Sequence, residues 1–153
     1  MPTAIKDSKI DITSEKSTRE LAEKLTSCFK GGEYAFLHGE MGVGKTTFVK
    51  YFINKFQTDE KLKLTEVTSP TFNLLNEYET SHFMIKHYDL FRIKNISELK
   101  DLDIFENSEK IITLVEWPQL LKNSNKAKKI DLFFKYENEL KNRTVQIKGL
   151  NLF

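Results

Sequence analysis

The stretch Phe36-Leu-His-Gly-Glu-Met-Gly-Val-Gly-Lys-Thr-Thr-Phe-Val49 constrains this chain more than any other part of it. Gly39, Gly44, Lys45 and Thr46 satisfy the spacing G-x-x-x-x-G-K-[ST], the P-loop pattern. The apolar run Tyr34-Ala-Phe-Leu37 leads into it and reads as a buried strand. The pattern Thr47-Phe-Val-Lys-Tyr-Phe-Ile-Asn-Lys-Phe56 leads out and reads as a helix. Strand, glycine loop and helix together make a phosphate cradle. Glycine lets the backbone approach a ligand without a Cβ clash, and the free N–H groups of a helix N-terminus favour an anion. Lys45 is expected to reach the β- and γ-phosphates and the Thr46 hydroxyl to ligate Mg²⁺. Glu40, Met41, Gly42, Val43 and Thr47 complete the cradle as cofactor-binding positions.

A bound nucleotide is hydrolysed only if acids serve the metal and the attacking water. In open parallel sheets the ligand lies beyond the carboxyl ends of the strands, so acids that terminate apolar runs are the candidates. Glu116 ends Ile111-Ile-Thr-Leu-Val115, a run of the kind buried on both sheet faces. Asp89 ends the run that contains Ile85 and Tyr88. Either could hold Mg²⁺, and the other would orient water. Thr68-Ser-Pro-Thr71 is a hydroxyl-rich loop stiffened by Pro70, suited to cover a γ-phosphate; Ser69 and Thr71 are its candidates. Trp117 follows Glu116 and would be core or a nucleotide-side aromatic. His38, His82 and His87 lack metal-ligand spacing and read as structural or exposed. No N-K-x-D guanine reader occurs, which favours ATP over GTP.

Other segments set the frame. Ile10-Asp-Ile12 reads as a short strand; Ser14 or Ser17 caps a helix, with capping-box spacing from Ser17 to Glu20. Leu21, Leu25, Cys28 and Phe29 form its buried stripe, and Gly31-Gly32 is expected to end it. A turn is expected at Gln57–Glu60, then strands over 62–67, 73–79 and 83–88, the last two joined as a hairpin. Ile96, Leu99, Leu102 and Phe105 suggest a helical stripe. The alternation Ile130, Leu132, Phe134, Tyr136, then Val145 and Ile147, predicts a final hairpin.

The whole is expected to be one α/β domain over residues 1–153: a single P-loop NTPase domain whose central mixed sheet has a parallel core and antiparallel edges, flanked by helices. A length of 153 residues fits one domain, and a net charge of +2 makes no global case for nucleic acid. The basic loop Lys122–Lys129 reads as solvated. One cysteine excludes an internal disulfide. The first residues carry no apolar core of a secretory signal, and no apolar run approaches the ~18 residues of a span, so a cytoplasmic location without membrane is expected.

Four motifs occur in order: Gly39-Glu-Met-Gly-Val-Gly-Lys-Thr-Thr47, Thr68-Ser-Pro-Thr-Phe-Asn-Leu-Leu-Asn-Glu-Tyr78, His87-Tyr-Asp-Leu-Phe-Arg92 and Leu114-Val-Glu-Trp-Pro118. With them the chain resembles the TsaE (YjeE) family of bacterial P-loop ATPases. The resemblance implies a Mg²⁺-dependent ATPase needed for threonylcarbamoyl modification of adenosine beside the tRNA anticodon. It implies a TsaB–TsaD-like complex as partner, with tRNA engaged indirectly. By motif position, Thr46 and Glu116 resemble the Mg²⁺ environment and Asp89 a catalytic acid. The stretch around Glu15 and Thr18 resembles one that approaches the base, and Asn142-Arg143 a Gly-Arg turn that reaches the nucleotide. The chain departs from the pattern at Phe91 (usually Tyr), Asp103 (often Gly) and Asn142 (usually Gly). A small-molecule kinase and a non-hydrolysing nucleotide-binding module are the alternatives. The first wants an Arg-rich lid, yet Arg19, Arg92 and Arg143 are scattered; the second leaves Asp89 and Glu116 without work.

Overall fold

The computed structural model of the chain describes residues 9–70, 72–106, 108–121 and 128–149. Thr71 and most of the basic 122–129 loop lie outside them. Seven strands form one sheet: β1 (Lys9–Asp11), β2 (Tyr34–His38), β3 (Leu75–Glu79), β4 (Met84–Asp89), β5 (Ile111–Glu116), β6 (Lys129–Glu137) and β7 (Asn142–Gly149), in spatial order β1-β7-β6-β2-β5-β4-β3. β6, β2, β5 and β4 are mutually parallel where they pair, and β7, β1 and β3 add antiparallel edges. The expected mixed α/β sheet is thus present. The parallel centre follows from composition: β2 and β5 carry apolar side chains on both faces, and both faces are covered.

Two helices cover one face, α1 (Glu15–Thr26) and α2 (Lys45–Asp59). Their apolar stripes meet the sheet through Leu21, Leu25, Phe48 and Phe52, with Cys28 buried among them. Phe29, Phe48, Phe52 and Phe56 pack in a chain of ring contacts, Phe29 to Phe52 edge-on at 5.0 Å. The other face of the sheet's centre carries Tyr34, Phe36, Tyr88 and Val115. Two 3₁₀ turns, Ile96–Leu102 and Pro118–Leu121, cover it. The hydroxyls of Tyr34 and Tyr88 donate to Ile104 O (3.0 Å) and Leu102 O (2.7 Å), tying this cover down.

Several local expectations are corrected. Ser14 is the cap of α1, its Oγ accepting from Ser17 N at 3.1 Å, so the box from Ser17 to Glu20 is not used. α1 ends at Thr26, before the glycines. Gly31 and Gly32 instead turn the chain into β2, where the buried Glu33 carboxylate accepts from Lys30 N and Gly31 N. α2 runs on through Gln57, which is buried rather than in a turn. No strand forms over 62–67: the Gln57 and Asn54 amides satisfy the backbone of Thr65, replacing a ladder. Of the expected stripe Ile96, Leu99, Leu102 and Phe105, only Leu99 is deeply buried; Ile96 and Phe105 face solvent, and Ile104 packs inward instead. Asn142 opens β7, while the left-handed residues of that turn are Asn138, Glu139 and Leu140. Asp103 does take a left-handed conformation, as a position that often holds Gly would.

Candidate functional site

The topology places the site. β4, β2 and β5 run parallel, so their carboxyl ends share one sheet edge. Asp89 and Glu116 are the last residues of β4 and β5 and sit in register with one another; Leu37 of β2 is in register with Glu116. β2 then delivers the glycine loop to the same edge. Gly44 caps α2 at φ 114, a left-handed conformation that β-carbon-bearing residues rarely adopt, and it leaves the first-turn N–H groups facing outward.

A cavity of about 380 Å³ opens there. From the loop, Met41, Gly42, Gly44, Lys45, Thr46 and Thr47 line it. Ser69, Asp89, Glu116, Trp117 and Arg143 join them from four other segments. Gly39, Glu40 and Val43 shape the loop without lining the cavity: Val43 is buried, and its N–H donates to Glu40 O. Glu15, Thr18 and Asn142 also stand off it. Glu15 accepts from the Tyr51 hydroxyl (2.8 Å), and the buried Thr18 hydroxyl donates to Ile12 O (3.3 Å). Asn142 pairs with Glu137 in the hairpin.

Lys45 is 4% exposed. Its Nζ donates to Gly39 O and lies 3.7 Å from the centre of the Trp117 ring. Burial pushes its ammonium below the ordinary lysine range, against the opposing pull of the Glu116 and Asp89 charges. Trp117 takes φ 57 just past β5, which turns its ring over Lys45; Phe91 packs on it at 4.8 Å. The Thr46 hydroxyl donates to Glu116, at 3.0 and 3.2 Å from its two oxygens. Asp89 accepts from the Ser69 hydroxyl (2.8 Å) and from Phe91 N (3.0 Å). Arg143 reaches the loop from β7, its guanidinium held by Thr13 O at 2.6 Å.

Two residues outside the expected set belong here. Phe91 lines the cavity. His87, fully buried, places its Nε2 2.6 Å from Glu116 Oε2. The period-2 rule carries a signal for it: Ile85, His87 and Asp89 fall on one face of β4, and that face is the one Glu116 shares. Reading the histidines for metal spacing alone misses this.

The donor set fits a hard cation. A hydroxyl and two carboxylates are oxygen ligands of the kind Mg²⁺ takes. Among the described residues no group of three His, Cys, Asp or Glu could hold a metal by itself. A cation here would therefore share its coordination with phosphate oxygens and water, which is how Mg²⁺ is usually held beside a nucleotide.

The TsaE family model, described as threonylcarbamoyl adenosine biosynthesis protein TsaE, matches residues 12–145. A Rickettsia felis protein named tRNA threonylcarbamoyladenosine biosynthesis protein TsaE is 37% identical over 112 residues, 73% of this chain but 63% of that protein. The Bacillus subtilis protein of the same name is 32% identical over 133 residues, 86% of this chain and 79% of its own length. The crystal structure of Bacillus subtilis YdiB superposes with a TM-score of 0.63 at 24% identity, covering 90% of this chain and 82% of that one, and so shares the fold. The matched segment runs from the start of α1 through the P-loop, Asp89, Glu116 and Arg143, and the chain belongs to the TsaE family.

Proposed function

We propose that the chain is a Mg²⁺-dependent ATPase that serves threonylcarbamoyladenosine formation in tRNA, acting in the cytoplasm on a TsaB–TsaD-like complex. One observation carries the reading: Lys45, Thr46, Asp89 and Glu116, from two parallel β-ends and one helix start, converge on a single cavity. The P-loop N–H groups would hold the phosphates, with Lys45 pairing to their negative charge. Thr46 and Glu116 would hold Mg²⁺, which would supply positive charge to offset the negative charge of the phosphates. Asp89 would orient the attacking water, its carboxylate steadied by Ser69 and Phe91 N. Ser69 thereby joins the 68–70 loop to the catalytic acid, a route by which loss of the γ-phosphate would reach the surface.

The relatives' names place those proteins in the tRNA pathway, and family membership extends that role to this chain. The test is ATP turnover by the chain alone and with the partner pair. Partner stimulation is expected, and Lys45→Ala should lower turnover by about 100-fold or more, as loss of a charge-stabilising group does. Turnover that Lys45→Ala leaves intact, or that the partners do not change, would refute the coupled reading. Phosphate appearing in an organic acceptor rather than in solution would make the chain a kinase.

A further inference from the structure

His87 is 0% exposed, and its Nε2 touches Glu116. Its other ring nitrogen, Nδ1, is buried with no hydrogen-bond partner, the one such side-chain atom among the described residues. An ionised carboxylate only accepts, so the proton of this contact sits on Nε2; a proton on Nδ1 would have no acceptor. A leucine at this position would fill the core and leave no orphan nitrogen, whereas a buried polar atom without a partner is destabilising. What the imidazole supplies in return is a fixed donor beneath Glu116. With the Thr46 hydroxyl on the same carboxylate, donors from β4 and from α2 hold one rotamer of a flexible side chain. We infer that His87 is a positioning residue: as its Nε2–H tautomer it aims the Glu116 carboxylate at the Mg²⁺ and phosphate end of the cavity. The inference rests on the proposed role of Glu116 in holding Mg²⁺.

Two measurements test it. Long-range ¹⁵N–¹H NMR of the ligand-free chain reads the tautomer, the His87 signal being identified by its loss in His87→Gln. The Nε2–H form is expected, with nitrogen shifts that move in Glu116→Ala. An Nδ1–H form, or shifts unmoved by Glu116→Ala, would overturn the contact. The second compares His87→Met with His87→Gln, side chains of similar shape of which only Gln donates. The Mg²⁺ concentration for half-maximal ATP hydrolysis is expected to rise about tenfold in His87→Met and to stay within about threefold of wild type in His87→Gln, the scale of losing a group behind a metal ligand. The KM for ATP at saturating Mg²⁺ should hold. An unmoved Mg²⁺ midpoint in His87→Met, or equal losses in both variants with melting temperatures lowered alike, would reduce His87 to a packing residue. A wild-type chain without Mg²⁺-dependent hydrolysis would sink the proposed function and the Mg²⁺ half of this inference together, while the NMR result still judges the His87–Glu116 contact.

Discussion

At the scale of single residues, the site is held by contacts that a change of a few atoms would break. Trp117 is the sole tryptophan, and its ring faces the Lys45 ammonium at 3.7 Å. A nucleotide that draws Lys45 onto phosphate removes that cation from the indole face. ATP with Mg²⁺ should therefore change Trp117 emission saturably, and an emission blind to nucleotide would count against binding in this cavity. Gly31 marks the opposite kind of constraint. It sits at φ +113, and an added Cβ would fall 1.8 Å from Glu109 O, a backbone atom with little room to yield. Gly31→Ala is expected to cost roughly 3 kcal/mol or more, combining left-handed strain with a backbone shift. Urea unfolding followed at Trp117 measures it, and a loss under ~1 kcal/mol would show that the 108–110 segment gives way easily.

At the scale of elements, α1 separates two cap assignments that the sequence leaves level. Ser14 Oγ accepts from Ser17 N, whereas the Ser17 hydroxyl only meets Ser14 Oγ at 2.8 Å. Ser14→Ala should cost about 1 kcal/mol and Ser17→Ala under about 0.5, because the second keeps the backbone donor's partner. Equal costs by thermal unfolding would contradict this capping geometry. The 62–67 segment teaches the complementary lesson. Leu62 and Leu64 alternate with Lys63 and Thr65 as a strand would, yet the two leucines are 38% and 55% exposed. Lys61 turns the chain at φ 58, and amides from α2 then take the backbone bonds of Thr65. Here the side chains of a neighbouring helix displaced a sheet, and β-propensity lost to tertiary context.

Across the whole molecule, three tyrosines link folding to alkaline pH. Burial raises Tyr34, Tyr78 and Tyr88 above the ordinary phenol range, Tyr88 the most. The folded chain keeps these hydroxyls neutral after the unfolded chain begins to ionise near pH 10.0. Their contribution is therefore complete below about pH 10 and is lost above it, by up to about 1.4 kcal/mol per pH unit for each tyrosine that ionises only when unfolded. Melting temperature should fall steeply above that pH, and less steeply in Tyr88→Phe. A wild-type melting temperature that is flat from pH 9 to 11 would refute the linkage.

The sequence by itself determined the elements whose rule is local. The P-loop spacing, the apolar run 111–115 and the alternations in 130–136 and 145–147 each declare their form within a dozen residues, and they led to the strand–loop–helix core, the final hairpin and the strand-end acid Glu116. The hydroxyl-rich loop and the strand end raised Ser69 and Trp117, and the family resemblance added Arg143; all three line the cavity. Only the tertiary structure decided which of those side chains meet. The register of β4 on β5 brings Asp89 level with Glu116 and sets His87 beneath it, although Glu116 lies 29 positions beyond His87. The fold of α1 and β7 leaves Glu15, Thr18 and Asn142 outside the cavity. Parallel pairing is a non-local bond, so no window of sequence contains it. Residues that are unremarkable in the chain become a site when the sheet aligns the strand ends.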